Sequence, residues 1–155
     1  MAIKIIKLSK SFSEPEFAGP KCQVRDMIDS ATEFFDCCRG IRANRIGVLN
    51  VYFPLTLQCI ELYAKALAID VDSALIVKKY SHHVVRIMES YRSKVAVFDF
   101  ILSDPKKEHV LAELEFAYFN VKYGDTGIFC DKEDFDLIDE IIRLLQTEAA
   151  VIRKK

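Results

Sequence analysis

The sequence predicts an all-α protein, an up-and-down helical bundle of about five main helices with a short N-terminal arm. Apolar residues recur at steps of three and four along most of the chain, which is helical spacing. Glycine and proline are scarce, with five and four in 155 residues, which disfavours a barrel rich in turns. Since 51% of the residues are hydrophobic, one domain can bury a sizeable core. We therefore divide the chain into an arm, residues 1–20, and a helical bundle domain, residues 21–155.

The arm differs in amino-acid composition from the rest of the chain. Isoleucines mix with lysines, and a stretch with serine, proline and glycine follows, which predicts an extended segment and a loop. The lysines interrupt the apolar residues, so the arm does not have the pattern of a secretory signal. The cysteine count of five is odd, and Cys-x-x-Cys does not occur. We therefore expect a cytoplasmic protein whose thiols are reduced and mostly buried.

The first half of the domain contains two predicted helices. The first covers residues 21–39, and Gly40 is expected to end it. The central helix covers residues 52–68, whose apolar face is too continuous to be left in water. Pro54 either opens this helix or kinks it. We expect the central helix to be the one that the others pack against.

The second half contains shorter segments and then two long helices. Residues 81–94 form a predicted helix with Ser81 as its N-cap, and residues 95–102 are read as helix or irregular. An aspartate–proline pair predicts the start of a helix over residues 104–123. The last predicted helix covers residues 131–155, with Asp131 as its N-cap. No apolar run is long enough to cross a bilayer, so we expect no membrane partner.

Two charged residues stand inside the central helix. Glu61 precedes Lys65 by four residues, the favourable orientation for an ion pair on one helix. Exposed pairs of this kind are common and weak, so we expect a surface pair worth less than about 1 kcal/mol. The alternative is that both residues line the edge of a groove between helices.

The segments IELYAKALAI and KKYSHHVVRIM resemble the core of a HEPN domain. That family shows Glu-Leu-x-x-Lys-Ala on its second helix and a Ser/Gly-His start to the next one. The residues that match are Glu61, Leu62, Lys65 and Ala66, and then Ser81 and His82. A third family piece, Arg-Tyr-Pro, stands here as Lys122-Tyr123-Gly124, with lysine for arginine and glycine for proline.

The resemblance implies a binding function. HEPN domains are named for proposed nucleotide binding, and many pair with a small nucleotidyltransferase in two-component, toxin–antitoxin-like systems. It implies a groove between helices lined by Glu61, Lys65, His82, Arg86, Lys122 and Tyr123. A lysine at position 122 keeps the positive charge of the family's arginine but loses its two-pronged hydrogen bonding to phosphate.

Many HEPN proteins cleave RNA with an arginine and a histidine separated by four to six residues. None of His82, His83 and His109 has an arginine at that distance before it. We therefore predict a non-catalytic HEPN-type domain that binds a nucleotide or a partner protein. Two alternatives stay open: an RNA nuclease with a non-standard site at His83, Arg86 and Glu61, and a structural or assembly protein.

Other ligand classes have little support in the sequence. Zinc sites need three or four ligands at recognisable spacing, whereas the cysteines are scattered and adjacent histidines face apart on a helix. We therefore predict no metal and no cofactor. The net charge of −1 gives no overall basic field, so nucleic-acid binding is left open.

Excess apolar surface predicts a homodimer. The helix over residues 104–123 carries two apolar stripes, and the last helix is apolar over a wider face than one neighbour requires. A two-fold contact would bury the same patch from both subunits. The alternative is that the N-terminal arm covers this surface within one chain.

Overall fold

The computed structural model describes residues 20–43, 49–75, 80, 82–123 and 132–154, without the side chains of 20–22, 49–50 and 119–123. These residues form six helices: α1 Pro20–Ala43, α2 Leu49–Val71, α3 Val84–Tyr91, α4 Ala96–Leu102, α5 Pro105–Tyr123 and α6 Lys132–Arg153. The described part of the chain contains no strand, so the all-α prediction is confirmed. None of its helices is long and apolar enough to cross a membrane. The predicted arm lies outside the described residues except for Pro20, the first residue of α1.

Helix α2 is the centre of the fold, as the sequence predicts. It packs against α1, α3, α5 and α6. Its fully buried side chains lie on several sides of the helix: Phe53, Leu57, Cys59, Ile60, Tyr63, Ala64, Ala66 and Ala68. A helix that is apolar nearly all round is stable only when neighbours surround it. Pro54 lies inside α2 rather than at its start, so the alternative in which proline opens the helix is wrong.

Helix α1 continues past Gly40 to Ala43, so the prediction that Gly40 ends it is wrong. Contacts of Arg42 with α6 stabilise the added turn. The Arg42 guanidinium donates to Asp136 at 2.6 Å and to Asp139 at 2.5 Å. The hydrogen bond to Asp136 raises the pKa of Arg42, which therefore stays charged. These contacts join residues far apart in sequence, so local helix-stop signals do not reveal them.

The segment between α2 and α4 differs from its prediction at both ends of the helix, and the predicted end at residue 94 is wrong because α3 ends at Tyr91. Helix α3 begins at Val84 with His83 as its N-cap, so the predicted N-cap at Ser81 is wrong, and Ser81 itself lies outside the described residues. Residues 96–102, left as helix or irregular, form α4. Val97, Phe98, Ile101 and Leu102 are its buried residues, at the spacing of one helical face.

Helix α5 begins and ends as predicted. Pro105 is its first residue, and the Asp104 side chain accepts a hydrogen bond from the backbone N–H of Lys106 at 3.0 Å. Tyr123 is its last residue. The aspartate expected to cap α6, Asp131, lies outside the described residues.

The wide apolar face of α6 is covered within one chain. The helix packs against α1, α2, α4 and α5, and Ile138, Ile141, Ile142 and Leu145 are fully buried. The part of the dimer argument that rested on α6 is therefore wrong. On α5, by contrast, Phe116 is 65% exposed and Ala112 is exposed as well. Ala112 and Phe116 belong to the second of the two predicted apolar stripes of α5, together with Phe119 and Tyr123, whose side chains lie outside the described residues. Of the surfaces named in the dimer argument, this stripe is the one that still supports a homodimer.

The described thiols agree with a reduced protein. Cys37, Cys38 and Cys59 are free, and the last two are buried. Burial raises the pKa of the Cys38 and Cys59 thiols. The side chains of Cys22 and Cys130 lie outside the described residues.

We expect Gly40→Ala to stabilise the protein by about 0.5–1 kcal/mol, because glycine inside a helix costs that much relative to alanine. A Cβ at position 40 would meet nothing within 4 Å. Urea denaturation followed by circular dichroism gives the free energy of unfolding. Gly40→Pro is the control and should destabilise by about 3 kcal/mol, because proline interrupts a helix interior. An alanine variant less stable than the wild type would contradict a continuous helix through Gly40.

Candidate functional site

A group of four polar side chains, two buried and two half-buried, joins α2, the turn before α3, and α5. Its members are Glu61, Lys65, His82 and Tyr118, and we call them the Glu61 cluster. Lys65 Nζ donates to Glu61 Oε1, and His82 Nδ1 lies 2.8 Å from Glu61 Oε2. Each carboxylate oxygen therefore has its own partner. The Glu61 carboxylate is the centre of the cluster.

Glu61 and Lys65 are buried, so the prediction of a surface ion pair is wrong. The side chains are 3% and 10% exposed, respectively. Spacing along one helix shows that the two residues face the same way, but it does not show what covers that face. In α2 the face that carries Glu61 and Lys65 is covered by other parts of the chain. Removing two charges from water is costly, and their attraction offsets this only when the remaining hydrogen-bonding capacity is also used.

His82 connects the buried pair to the surface. Because a carboxylate oxygen only accepts hydrogen bonds, the His82 Nδ1 atom carries the proton that is donated to Glu61. The Nε2 atom then faces Tyr118, whose hydroxyl oxygen lies 3.4 Å away. The two rings are 4.8 Å apart between centroids, and the His82 side chain is 31% exposed. Both imidazole nitrogens thus have a partner, Glu61 at Nδ1 and Tyr118 at Nε2.

Glu115 of α5 caps the beginning of α3. Its Oε1 accepts a hydrogen bond from the Val85 backbone N–H at 2.7 Å, and its Oε2 lies 3.7 Å from His83 Nδ1. His83, the N-cap residue, makes no side-chain capping bond of its own. A carboxylate at a helix N-terminus satisfies a free N–H and is favoured by the helix dipole. Sequence reasoning missed Glu115 because it stands 30 residues from Val85.

The other end of α3 is held by Tyr91. Its hydroxyl donates to Asp72, just past the end of α2, at 2.9 Å. Burial, together with the Asp72 carboxylate, raises the pKa of Tyr91 to about 12. Both ends of α3 are therefore tied to neighbouring elements by polar contacts. This fixes the turn that carries His82.

Three of the six predicted ligand residues come together, namely Glu61, Lys65 and His82. Arg86 is exposed in the first turn of α3 and does not contribute to the hydrogen bonds of the cluster. Lys122 and Tyr123 stand at the end of α5, but their side chains lie outside the described residues.

The alternative nuclease hypothesis placed His83, Arg86 and Glu61 in one site, and the structure does not bring His83 and Glu61 together. Glu61 contacts His82, whereas His83 faces Glu115. Within the described ranges, histidine, cysteine, aspartate and glutamate do not gather in groups of three that could hold a metal ion.

The chemistry available to the cluster follows from these contacts. The Lys65 charge is used by Glu61, so Lys65 is a poor phosphate ligand. His82 is the member of the pair's surroundings that reaches solvent, and its Nε2 atom is hydrogen-bonded to the Tyr118 hydroxyl.

Comparison of the chain with protein-family models, with curated proteins and with solved structures gives no match. The case for a function therefore comes from the residues and contacts of the chain itself.

We expect Lys65→Ala to destabilise the protein by about 3–5 kcal/mol, because it leaves a buried carboxylate without its counter-charge. Denaturant melts give this value. The matched control is Lys106→Ala, since Lys106 pairs with Glu133 at 2.6 Å while both side chains are more than 60% exposed. The control should leave the free energy of unfolding nearly unchanged, because water and salt screen an exposed pair. Equal effects of the two variants would contradict a buried cluster.

We expect the stability difference between wild type and Tyr91→Phe to depend on pH. The folded-state pKa of Tyr91, about 12, lies above the unfolded value of about 10. The contribution of the neutral phenol is therefore present below about pH 10 and is lost as the pH rises towards 12. Over that window the wild type should lose on the order of 2 kcal/mol relative to the variant. Urea melts at several pH values measure this, and a constant difference would refute it.

Proposed function

We propose that this chain is a non-catalytic helical binding domain of the HEPN type and that its ligand is a partner protein. The observation that carries the proposal is that Glu61 engages both Lys65 and His82. Glu61, Lys65 and His82 therefore form hydrogen bonds with one another, so these side chains are poorly placed to bind a substrate. Such a cluster holds three elements in a fixed arrangement and leaves the outer surface of the bundle for recognition.

The packing of the helices supports the HEPN type. The three pieces of the resemblance lie on α2, in the turn before α3 and at the end of α5. Each of these helices contacts the other two. The glutamate and lysine of the first piece and the histidine of the second share hydrogen bonds. The matching residues Glu61, Lys65 and His82 are thus also neighbours in space.

A partner protein is a better ligand for this site than a nucleotide. Nucleotide phosphates require accessible positive charge. Lys65 is 8% exposed, and Glu61 neutralises its charge. Arg86 is accessible, but it is a single cation on the surface. We therefore rank a nucleotide below a partner protein as the ligand.

The partner that we propose is a second copy of the chain, bound through the outer face of α5. Phe116 is 65% exposed on this face, and Ala112, one turn earlier, is exposed and small enough for close helix approach. His109 and Glu113 flank them and are exposed as well. A two-fold contact would bury the same patch of both chains. A small nucleotidyltransferase, which the resemblance implies, is the second proposed partner, and a gene for one beside the gene for this chain would support it.

The proposed compartment is the cytoplasm. Free thiols at Cys37, Cys38 and Cys59 support a reducing environment.

We expect light scattering at micromolar concentration to give a mass of twice 17.8 kDa for the wild type. Phe116→Glu should give the monomer mass, because a charge replaces the exposed ring at the centre of the contact. Phe100→Glu is the matched control, since Phe100 is 58% exposed on α4. It should remain a dimer. A monomeric wild type would refute the homodimer, and a folded Phe116→Glu dimer would exclude this face of α5.

The competing proposal is an RNA nuclease, and the Glu61–His82 pair favours it, because a carboxylate that orients a histidine can assist general base catalysis. Incubation of the purified protein with RNA separates the two proposals. We expect intact RNA. Cleavage by the wild type that disappears in His82→Ala and persists in His83→Ala would replace the binding proposal with the nuclease.

A further inference from the structure

A depression with a volume of about 560 Å³ lies at the junction of α3 and α4. Its lining residues come from the end of α3, the turn after it and the outer side of α4: Glu89, Arg92, Ser93, Ala96 and Asp99. All of them are exposed. Pockets that hold small molecules commonly have volumes of ~300–1,000 Å³. The depression is therefore large enough for a small ligand and is open to it from solvent.

Arg92 holds the two sides of the depression in a fixed arrangement. Its Nε atom donates to Asp99 Oδ1 at 2.6 Å, and its Nη2 atom donates to Ser103 Oγ at 2.7 Å. Its backbone N–H donates to the Glu89 carbonyl at 3.4 Å. Helices α3 and α4 also pack against each other. The lining is therefore preorganised, which lowers the entropic cost of binding a ligand.

Several polar atoms of the lining are left for a ligand. Within the part of the chain that the structure describes, the Glu89 carboxylate and the Ser93 hydroxyl make no hydrogen bond or ion pair. Arg92 Nη1 and Asp99 Oδ2 have no hydrogen-bond partner among those residues either, because the bonds of their side chains use other atoms. The depression thus offers both acceptors and donors to a molecule that enters it.

The charges of the lining decide which kind of molecule fits it best. Two carboxylates, Glu89 and Asp99, stand beside one guanidinium, so the complementary ligand carries two cationic groups and one carboxylate. Arg92 Nη1 suits the carboxylate, because hydrogen bonds between a guanidinium and a carboxylate are charge-assisted. Ala96, the small apolar residue of the lining, leaves room for a methylene chain between the charged groups. A nucleotide fits poorly, since its phosphates would face two carboxylates.

We infer that the depression binds a free basic amino acid. Its α-carboxylate pairs with Arg92 and accepts a hydrogen bond from the Ser93 hydroxyl. Its two ammonium groups pair with Glu89 and Asp99, and the binding is non-covalent. The lining residues lie outside α5, so this site is separate from the proposed homodimer face and does not depend on it.

The test is a titration of the isotope-labelled full-length chain with L-lysine, followed by nitrogen–proton NMR. We expect progressive shifts of the backbone amide signals of residues 89–99. Cadaverine, which is lysine without the carboxylate, and L-norleucine, which is lysine without the side-chain amine, are the matched control ligands. Each should bind about tenfold more weakly or worse, because each loses one charge-assisted contact. Equal affinities for the three compounds would overturn the proposal, as would unchanged signals of residues 89–99 at about 10 mM lysine.

Two variants assign the contacts. Glu89→Gln should weaken lysine binding about tenfold, since the amide cannot pair with an ammonium group as an ion. Glu33→Gln is the matched control and should bind lysine as the wild type does, because Glu33 is exposed on α1, which packs against α2 and α6.

Arg92→Lys keeps a positive charge beside Asp99 but removes the guanidinium. It should weaken the binding of lysine and leave the binding of cadaverine unchanged, because cadaverine has no carboxylate. Circular dichroism checks that each variant is folded. An unchanged lysine affinity in Glu89→Gln, or an equal loss of affinity in Glu33→Gln, would refute a site at this junction.

Discussion

The ion pair of Glu61 and Lys65 inside α2 is the interaction on which the arrangement of α2, α3 and α5 depends. A buried carboxylate must use both oxygens, and Lys65 satisfies only one of them. The second oxygen is satisfied by His82, which lies outside any helix. The position of His82, just before α3, therefore serves the hydrogen-bonding needs of a single buried side chain.

The other polar contacts of α3 follow from this arrangement. Since His82 turns towards α2, the first N–H groups of α3 come to lie beside α5. Glu115 accepts a hydrogen bond from one of them. At the other end Tyr91 reaches Asp72. A helix of only eight residues has little stability of its own, so these contacts and its buried apolar side keep it in place.

Lys107 shows a different way of burying a lysine. It is 6% exposed, and its ammonium contacts Asp104 at 2.5 Å and Glu140 at 3.1 Å. The hydrogen bond to Asp104 raises the pKa of Lys107. Both acidic partners reach solvent, so this group joins the start of α5 to α6 without a histidine. The Glu61 cluster differs because its carboxylate is buried. Its more exposed member is the imidazole of His82, a side chain that can accept and donate protons.

The sequence by itself determined the all-α class and the position of the central helix. Apolar spacing defined α2, and the aspartate–proline pair defined the start of α5, because both signals are local. Only the tertiary structure decided that Glu61 and Lys65 are buried and that His82 completes their hydrogen bonds. Periodicity relates residues within one helix, but the neighbours that cover each face are set by contacts between distant parts of the chain. The same reason explains why α1 passes Gly40 and why the wide face of α6 is buried within a single chain.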